Sequence, residues 1–249
     1  MTVRGGFEDG LAAAIAVGGR GAARRICELC VANLGVTGAA ITAMTSADEQ
    51  DPVWATDEVA ARIDELQFRL AEGPCVQAFE SGLPVLVADI GEGVHERWPV
   101  FAVAAARETP ARGMYVFPLL GGGLSLGVLD FYRDQPGMLD PEDLARAQRA
   151  SDTAFLAVLG LSAHPTGDAT GQDENVDSDT DAWLGDPPLE RVEVYQATGM
   201  IIAQLDVSPD VALARLRAYA FAHDRPIDAV ARDVVARTLR FTEDTTEEQ

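Results

Sequence analysis

The sequence contains no lysine; all 19 of its basic residues are arginine. That removes every chemistry built on a lysine amine, including a Walker A phosphate loop, a Schiff base and a kinase lysine. Cysteine is scarce, at Cys27, Cys30 and Cys75. An odd, low count in a chain of this length reads as cytoplasmic. No apolar stretch approaches the length of a membrane span. The start of the chain does not read as a signal peptide, because Phe7-Glu8-Asp9 precedes an apolar run, Leu11 to Val17, that is too short. No carboxylate pair and no His/Cys/Asp cluster has catalytic or metal-ligating spacing. Neither an enzyme, a metal site nor a cofactor is therefore expected.

Positive charge is also in short supply, and the net charge is -21. Such a balance argues against unaided, nonspecific association with nucleic acid or an anionic membrane. The distribution is uneven. Residues 191–241 hold seven Arg against six acids, which leaves +1. Residues 163–190 hold eight acids and no Arg, and residues 1–162 hold 12 Arg against 22 acids. Only the C-terminal segment escapes the acidity.

Apolar periodicity predicts helices over about 5–18, 20–34, 57–70 and from Pro74 onward, another from Arg97 to Arg107, and a long one from Asp140 to Leu161. Phe7, Leu11 and Ile15 mark the inward row of the first. Strands are predicted at 36–44, 52–55, 84–87, 112–119 and 124–132, the last two joined as a hairpin by Gly121-Gly122-Gly123. On the returning arm Leu124, Leu126, Val128 and Asp130 share one side; Ser125, Gly127, Leu129 and Phe131 share the other. Gly123-Leu124-Ser125-Leu126-Gly127 matches G-x-S-x-G. A nucleophile elbow needs a strand before the serine and a helix after it, and the pattern here is the reverse. In the long helix, Leu144, Ala147, Ser151, Ala154, Val158 and Leu161 recur as a heptad seam, which suits a dimer interface or the domain's own core. The order of elements gives an α+β domain with an antiparallel sheet flanked by helices over 1–162. The Pro-, Gly-, Asp- and Ser-rich stretch 163–190 reads as an acidic flexible linker, and 242–249 as a disordered acidic tail.

Residues 20–160 resemble a GAF domain. The likeness rests on Leu70-Ala71-Glu72-Gly73-Pro74-Cys75, the strand Val85 to Asp89, Arg97-Trp98-Pro99, and Val116-Phe117-Pro118-Leu119 leading through glycines to Leu126-Gly127-Val128-Leu129. The resemblance implies a sensor of a small-molecule ligand or a partner, with Cys75, His95, Trp98, Met114 and Phe117 as candidate ligand contacts. Cys75 follows a proline at a helix start, where the helix dipole lowers a thiol pKa, so both redox sensing and simple packing stay open. Cys27 and Cys30 lie on an otherwise apolar helix face and read as buried thiols.

Three further apolar-periodic runs fill 191–241: Val192 to Leu205, a helix opened by Ser208-Pro209, and a third opened by Pro226. Ala212, Leu213, Leu216 and Ala220 form one inward face, and Ile227, Val230, Ala231, Val234 and Leu239 another. This unit resembles the ANTAR domain, the RNA-binding output module of transcription antiterminators. The likeness is carried by Gln196-Ala197-Thr198-Gly199-Met200, by Ala212 with Leu216-Arg217 and Ala220, and by Val230-Ala231 with Val234-Val235. Many members carry a lysine where this chain has Thr198. Together the two segments resemble an antitermination regulator of the actinobacterial type, and the lysine-free, Ala-, Gly- and Val-rich usage fits a GC-rich genome. The resemblance implies that a homodimer binds hairpin loops in nascent RNA. Candidate contacts are Tyr195, Gln196, Thr198, Gly199, Arg215, Arg217, Tyr219, Arg232, Arg237 and Arg240. Arginine suits phosphate and base contact, and the tyrosines suit stacking on unpaired bases. A solvated face with pairs such as Asp233–Arg237 is the plainer alternative. The near-neutral charge also suits a dimeric protein-interaction module that binds no RNA. The acidic linker is expected to shield the arginines, so that removing 165–186 raises RNA affinity.

Overall fold

The computed structural model describes residues 4–92, 96–163, 189–223 and 225–242. His95, the interior of the predicted linker and the tail beyond Thr242 lie outside the described residues. The chain divides into two compact units, residues 1–175 and 176–249.

The first unit runs α1 (Arg4–Val17), α2 (Gly19–Asn33), β1 (Gly38–Met44), β2 (Gln50–Ala55), α3 (Glu58–Leu70), α4 (Pro74–Ser81), β3 (Val85–Val87), α5 (Pro99–Glu108), β4 (Gly113–Gly121), β5 (Leu124–Arg133) and α6 (Pro141–Ala163). Its strands form one five-stranded sheet in the order β2-β1-β5-β4-β3. Every neighbouring pair is antiparallel, as the α+β reading expects. Alternation along the strands gives each sheet face its own core. One face holds Tyr115, Phe117, Leu129 and Phe131 against α1, α2 and α6. The other holds Met114, Val116, Val128 and Tyr132 against α3, α4 and α5.

Short-range chemistry sets the helix starts. Asp57 Oδ1 accepts from the Ala60 N–H at 2.8 Å and opens α3. Asp140 Oδ1 accepts from Glu142 and Asp143 N–H, both at 2.9 Å, and opens α6. The first turn of α5 is capped from a distance: Glu72 Oε1 accepts the N–H groups of Val100 and Phe101, each at 2.9 Å. These satisfy donors that a helix N-terminus otherwise leaves without partners.

Three expectations change in the first unit. In α1, Phe7 and Leu11 are buried, but Ile15 is 44% exposed and Ala14 takes the inward place. Successive steps of four residues drift about 40° each, so a third member leaves the stripe. In β5, Leu126 packs with the α1/α2/α6 core rather than beside Val128. The register breaks between Pro118 and Leu120, and Gly127 at φ 142 turns the chain over there. The heptad row of α6 faces its own domain. Ala147, Ser151, Ala154 and Val158 are buried, and the Ser151 hydroxyl donates to the Pro118 carbonyl at 2.9 Å. The row is thus intradomain core and not a dimer seam, because its small residues let the helix settle close to the sheet.

The second unit holds α7 (Leu189–Leu205), α8 (Pro209–Ala222) and α9 (Ile227–Val235). Val194, Ala197, Ile201, Leu213, Leu216, Val230 and Val234 fill its centre. Ser208 stands at the N-cap of α8 without a side-chain cap bond, so proline at the first turn, Pro209, sets that start. α9 ends at Val235, before Leu239. Arg237 takes the left-handed conformation at φ 62, and the N–H groups of Thr238 and Leu239 donate back to the Asp233 carbonyl. That turn brings Phe241 back onto the bundle, where it is buried and its N–H donates to Gln204 Oε1 at 2.9 Å.

Candidate functional site

The described part of each unit contains one arrangement of polar groups beyond what its fold requires. In the first it lies in the core under α3 and α4. Gly73 at φ 138 lets the chain pass close to Gln67 before α4 begins at Pro74. Gln67 then clasps the next residue. Its Oε1 accepts from Cys75 N–H at 2.8 Å and its Nε2 donates to Cys75 Sγ at 2.6 Å. The thiol donates to Asp130 Oδ2 at 2.6 Å, which ties α4 to the middle of β5. The Thr42 hydroxyl donates to Asp64 Oδ1 at 2.7 Å, joining β1 to α3. All five side chains are buried. Asp130 Oδ1 is buried and has no hydrogen-bond partner.

The electrostatics follow from this enclosure. Burial above all, with the charge of Asp64 adding, pushes the Asp130 carboxyl up to about 8, against the opposing pull of the Cys75 hydrogen bond. Burial likewise pushes the Cys75 thiol well above its ordinary value, and Asp130 beside it pushes the same way. The helix-dipole expectation for Cys75 is therefore reversed: loss of water outweighs the helix N-terminus. Cys27 and Cys30 are buried as expected, and burial raises both thiols.

Of the predicted ligand contacts, Cys75, Trp98 and Met114 share this core. Phe117 does not: strand alternation from Met114 sends it to the opposite face, where its ring meets Phe131 at 5.9 Å. Trp98 is buried, and the Arg97 guanidinium sits 4.3 Å from its ring centroid. Asp130, Asp64 and Gln67 were not singled out from sequence. An aspartate on the same strand face as Val128 was the legible signal. Ser125 lies in β5 with no helix after it, so the nucleophile elbow is absent, as its context predicted.

In the second unit a polar and aromatic corner forms at the end of α8. Arg215, Tyr219 and His223 recur at four-residue steps, so they share one flank of the helix. The Tyr219 and His223 rings stack at 3.9 Å between centroids with 20° between planes. His223 Nδ1 donates to the Tyr219 carbonyl at 2.8 Å, and the residue is exposed. Phe241 supports Tyr219 from behind, edge-on at 5.5 Å. Arg240, the residue before Phe241, is exposed. Neither His223 nor Phe241 was singled out from sequence. The four-residue step from Tyr219 announced the first; the second depends on the turn after α9.

The remaining predicted contacts scatter. Gln196 and Gly199 are exposed on α7, and Tyr195 is half-buried. Thr198 is 7% exposed and its hydroxyl donates to the Val194 carbonyl at 2.8 Å, so it faces the core and not a ligand. Arg217 lies on the opposite flank of α8 from Arg215, since two residues turn a helix by about 200°. Arg232 is exposed but held by Asp228 at 2.7 Å and Glu193 at 3.5 Å. The expected Asp233–Arg237 pair does not form. Asp233 pairs with Arg225 at 2.7 Å, and Arg237 has left the helix. Among the described residues Arg215, Arg237 and Arg240 form no ion pair.

Comparison with known proteins agrees with both halves. A family model for the GAF domain matches residues 20–158, and one for the ANTAR domain matches residues 189–235. Among solved structures, the chain is similar to the GAF domain of an Acinetobacter phosphoenolpyruvate-protein phosphotransferase at 12% identity and TM-score 0.53, over 68% of this chain and 100% of that one. It is similar to the GAF domain of the Coxiella burnetii phosphoenolpyruvate-protein phosphotransferase at 14% identity and TM-score 0.51, over 63% and 95%. At such identities the likeness speaks for the fold alone. Comparison with curated proteins finds no match. The first match spans more than half of the chain and the second covers the three-helix unit, and the chain belongs to the GAF-domain family as a regulator of the GAF-plus-ANTAR kind.

Proposed function

We propose that the C-terminal unit binds looped, unpaired bases of nascent RNA at the corner formed by Arg215, Tyr219, His223 and Arg240, and that the N-terminal unit controls this binding through a small ligand. The observation that carries the reading is the Tyr219–His223 stack. One face of the tyrosine is already covered, so the outer face of the exposed imidazole is the surface left for a base. Base–aromatic stacking contributes about 1–3 kcal/mol per base. The unpaired guanidiniums of Arg215 and Arg240 flank it and suit phosphate. Binding of paired hairpin loops would compete with terminator formation. The protein acts by binding and not by turnover on this reading, in the cytoplasm and as a homodimer. No described helix is long and apolar enough to cross a membrane. Leu156 and Leu159, 48% and 40% exposed on the outer side of α6, are apolar groups left for self-association.

The test is an electrophoretic shift of the full chain on a pool of RNA hairpins with randomised loops. Binding that weakens with salt, and that falls at least tenfold in His223→Ala, supports the reading. Absence of any shift at low salt overturns it in favour of a protein-interaction module, which the near-neutral charge of 191–241 also suits.

A further inference from the structure

We infer that the outer face of α8 is a contact between two copies of this chain, in which the two α8 helices lie side by side and parallel. One face of α8 serves the core of its own unit through Ala212, Leu213, Leu216 and Ala220. A second apolar row runs along the outside: Val211, Ala214, Ala218 and Phe221 are all exposed. Val211 is 42% exposed and Phe221 is 76% exposed, the most of any large apolar residue described. The row advances by three, four and three residues, which is the spacing of a helix–helix seam. A helix with nothing packed on its outside normally carries polar groups there. A contiguous exposed apolar row instead marks a contact surface.

The row and its flanks say what covers it. Its middle is two alanines, so the backbone of a second helix can approach closely; its ends, Val211 and Phe221, would then meet their own counterparts. Charge favours a second copy here and sets its direction. Two copies of a chain at -21 repel, and residues 191–241, at +1, are where they approach most readily. Asp210 and Arg215 stand on opposite sides of the row, because five residues carry a helix about 140° past a full turn. They cannot reach each other within one helix, and neither forms an ion pair among the described residues. With Val211 and Ala214 as the a and d positions of a heptad, Asp210 is a g position and Arg215 the following e. Parallel helices bring each g to the following e of the other helix, so Asp210 of each chain meets the partner's Arg215. Antiparallel helices would set the two Arg215 side chains against each other.

The contact is small. α8 has 14 residues and is therefore about 21 Å long, so the pair buries well under the roughly 800 Å² per partner of a standard interface. It holds where a second contact joins the same two chains and raises the effective concentration of the helices. The inference therefore rests on reading the chain as a homodimer. Tyr219 and His223 lie more than about 100° round the helix from the centre of the row, so pairing leaves their stack open. A carboxylate engages only part of a guanidinium's donors, and the rest of Arg215 remains for phosphate. The pair would thus hold Arg215 in place beside each stack, with one such corner on either side of the two-fold axis.

The experiment is disulfide formation in the full chain carrying Val211→Cys, with oxidised glutathione as the oxidant, beside sedimentation of the same sample. The native thiols are buried, so the introduced one is the reactive thiol, and the parent chain serves as the blank. A disulfide requires Cα atoms within about 7 Å. Parallel helices bring the two copies of position 211 that close; antiparallel helices hold them about 15 Å apart and bring position 211 to position 221 instead. Covalent dimer is expected to fall about tenfold when Asp210→Arg is added and to return when Arg215→Asp joins it. A yield that Asp210→Arg does not lower reflects random collision and overturns the seam. Linkage only between Val211→Cys and Phe221→Cys chains in a mixture overturns the parallel arrangement. A chain that sediments as a dimer but gives no covalent dimer overturns the seam and leaves the homodimer standing; a chain that sediments as a monomer overturns both.

Discussion

Replacing Asp130 by Asn should change how stability depends on pH more than it changes stability at any one pH. The carboxyl titrates near its ordinary 3.8 in the unfolded chain and at about 8 in the folded one. A folded-state value raised in this way means that the folded protein holds a proton the unfolded chain has given up. Its contribution is complete below the unfolded value and is lost as pH rises through the folded one. Between pH 5 and pH 7 the loss approaches 1.4 kcal/mol per pH unit, about 2.5 kcal/mol in all. Asn has the same shape, offers the Cys75 thiol an acceptor and carries no proton to lose. The variant should therefore lack that slope. The other shifted groups act outside the window: Asp89 is lowered by Arg112 and acts at acid pH, while Tyr132 is raised from 10.0, chiefly by burial, and acts at alkaline pH. Urea unfolding followed by Trp54 and Trp98 fluorescence, in a Trp183→Phe background, reads the N-terminal unit. A loss of 2.5 kcal/mol is a midpoint shift of about 1 M urea at a slope of about 2 kcal/mol/M. Parallel pH profiles for the parent and Asp130→Asn would refute the reasoning.

Three further substitutions test the geometry. Gly127→Ala should destabilise the N-terminal unit by about 3 kcal/mol, because the residue stands at φ 142 and a Cβ there would lie 2.0 Å from the Thr42 carbonyl oxygen; urea unfolding checks it. Glu72→Ala should cost about 1 kcal/mol by the same measurement, since two N–H groups of α5 lose their acceptor. Arg240→Ala should weaken RNA binding and lower the magnitude of its salt slope by about 0.7, the value for one phosphate contact on a single strand. Arg232→Ala should leave both nearly unchanged, because Asp228 and Glu193 already hold that guanidinium.

The parts of the fold legible in the sequence are those decided within a turn or two of chain. Asp57 and Asp140 cap helices that begin one residue later, and the Gly-rich turn after β4 makes a hairpin. The inward rows of α8 and α9 follow the helical period, and so does the step from Tyr219 to His223. Even Asp130 was correctly placed on the side of Val128. The same short-range logic misplaced what depends on chain brought in from elsewhere. The period of α6 is equally good for a partner helix and for a sheet, and only the Pro118 carbonyl beside Ser151 decides for the sheet. Alternation along β5 fails at Gly127 because the facing strand slips register there.

Sequence alone determined the two-part organisation, the α+β and all-α classes of those parts, and the near-neutral charge of the C-terminal one in an otherwise acidic chain. These rest on composition and on periodicities of two and 3.6 residues, which every short window of chain carries. Tertiary structure decided which groups meet. Cys75 and Asp130 stand 55 residues apart in the chain and 2.6 Å apart in the fold. Thr198 turns inward and Phe241 returns to Tyr219 for reasons no local window contains. Hydrogen bonding and desolvation depend on distance in space, so the pairing of Cys75 with Asp130, the raised pKa of the carboxyl and the stacked corner of α8 come into being only once the sheet and the bundle have closed.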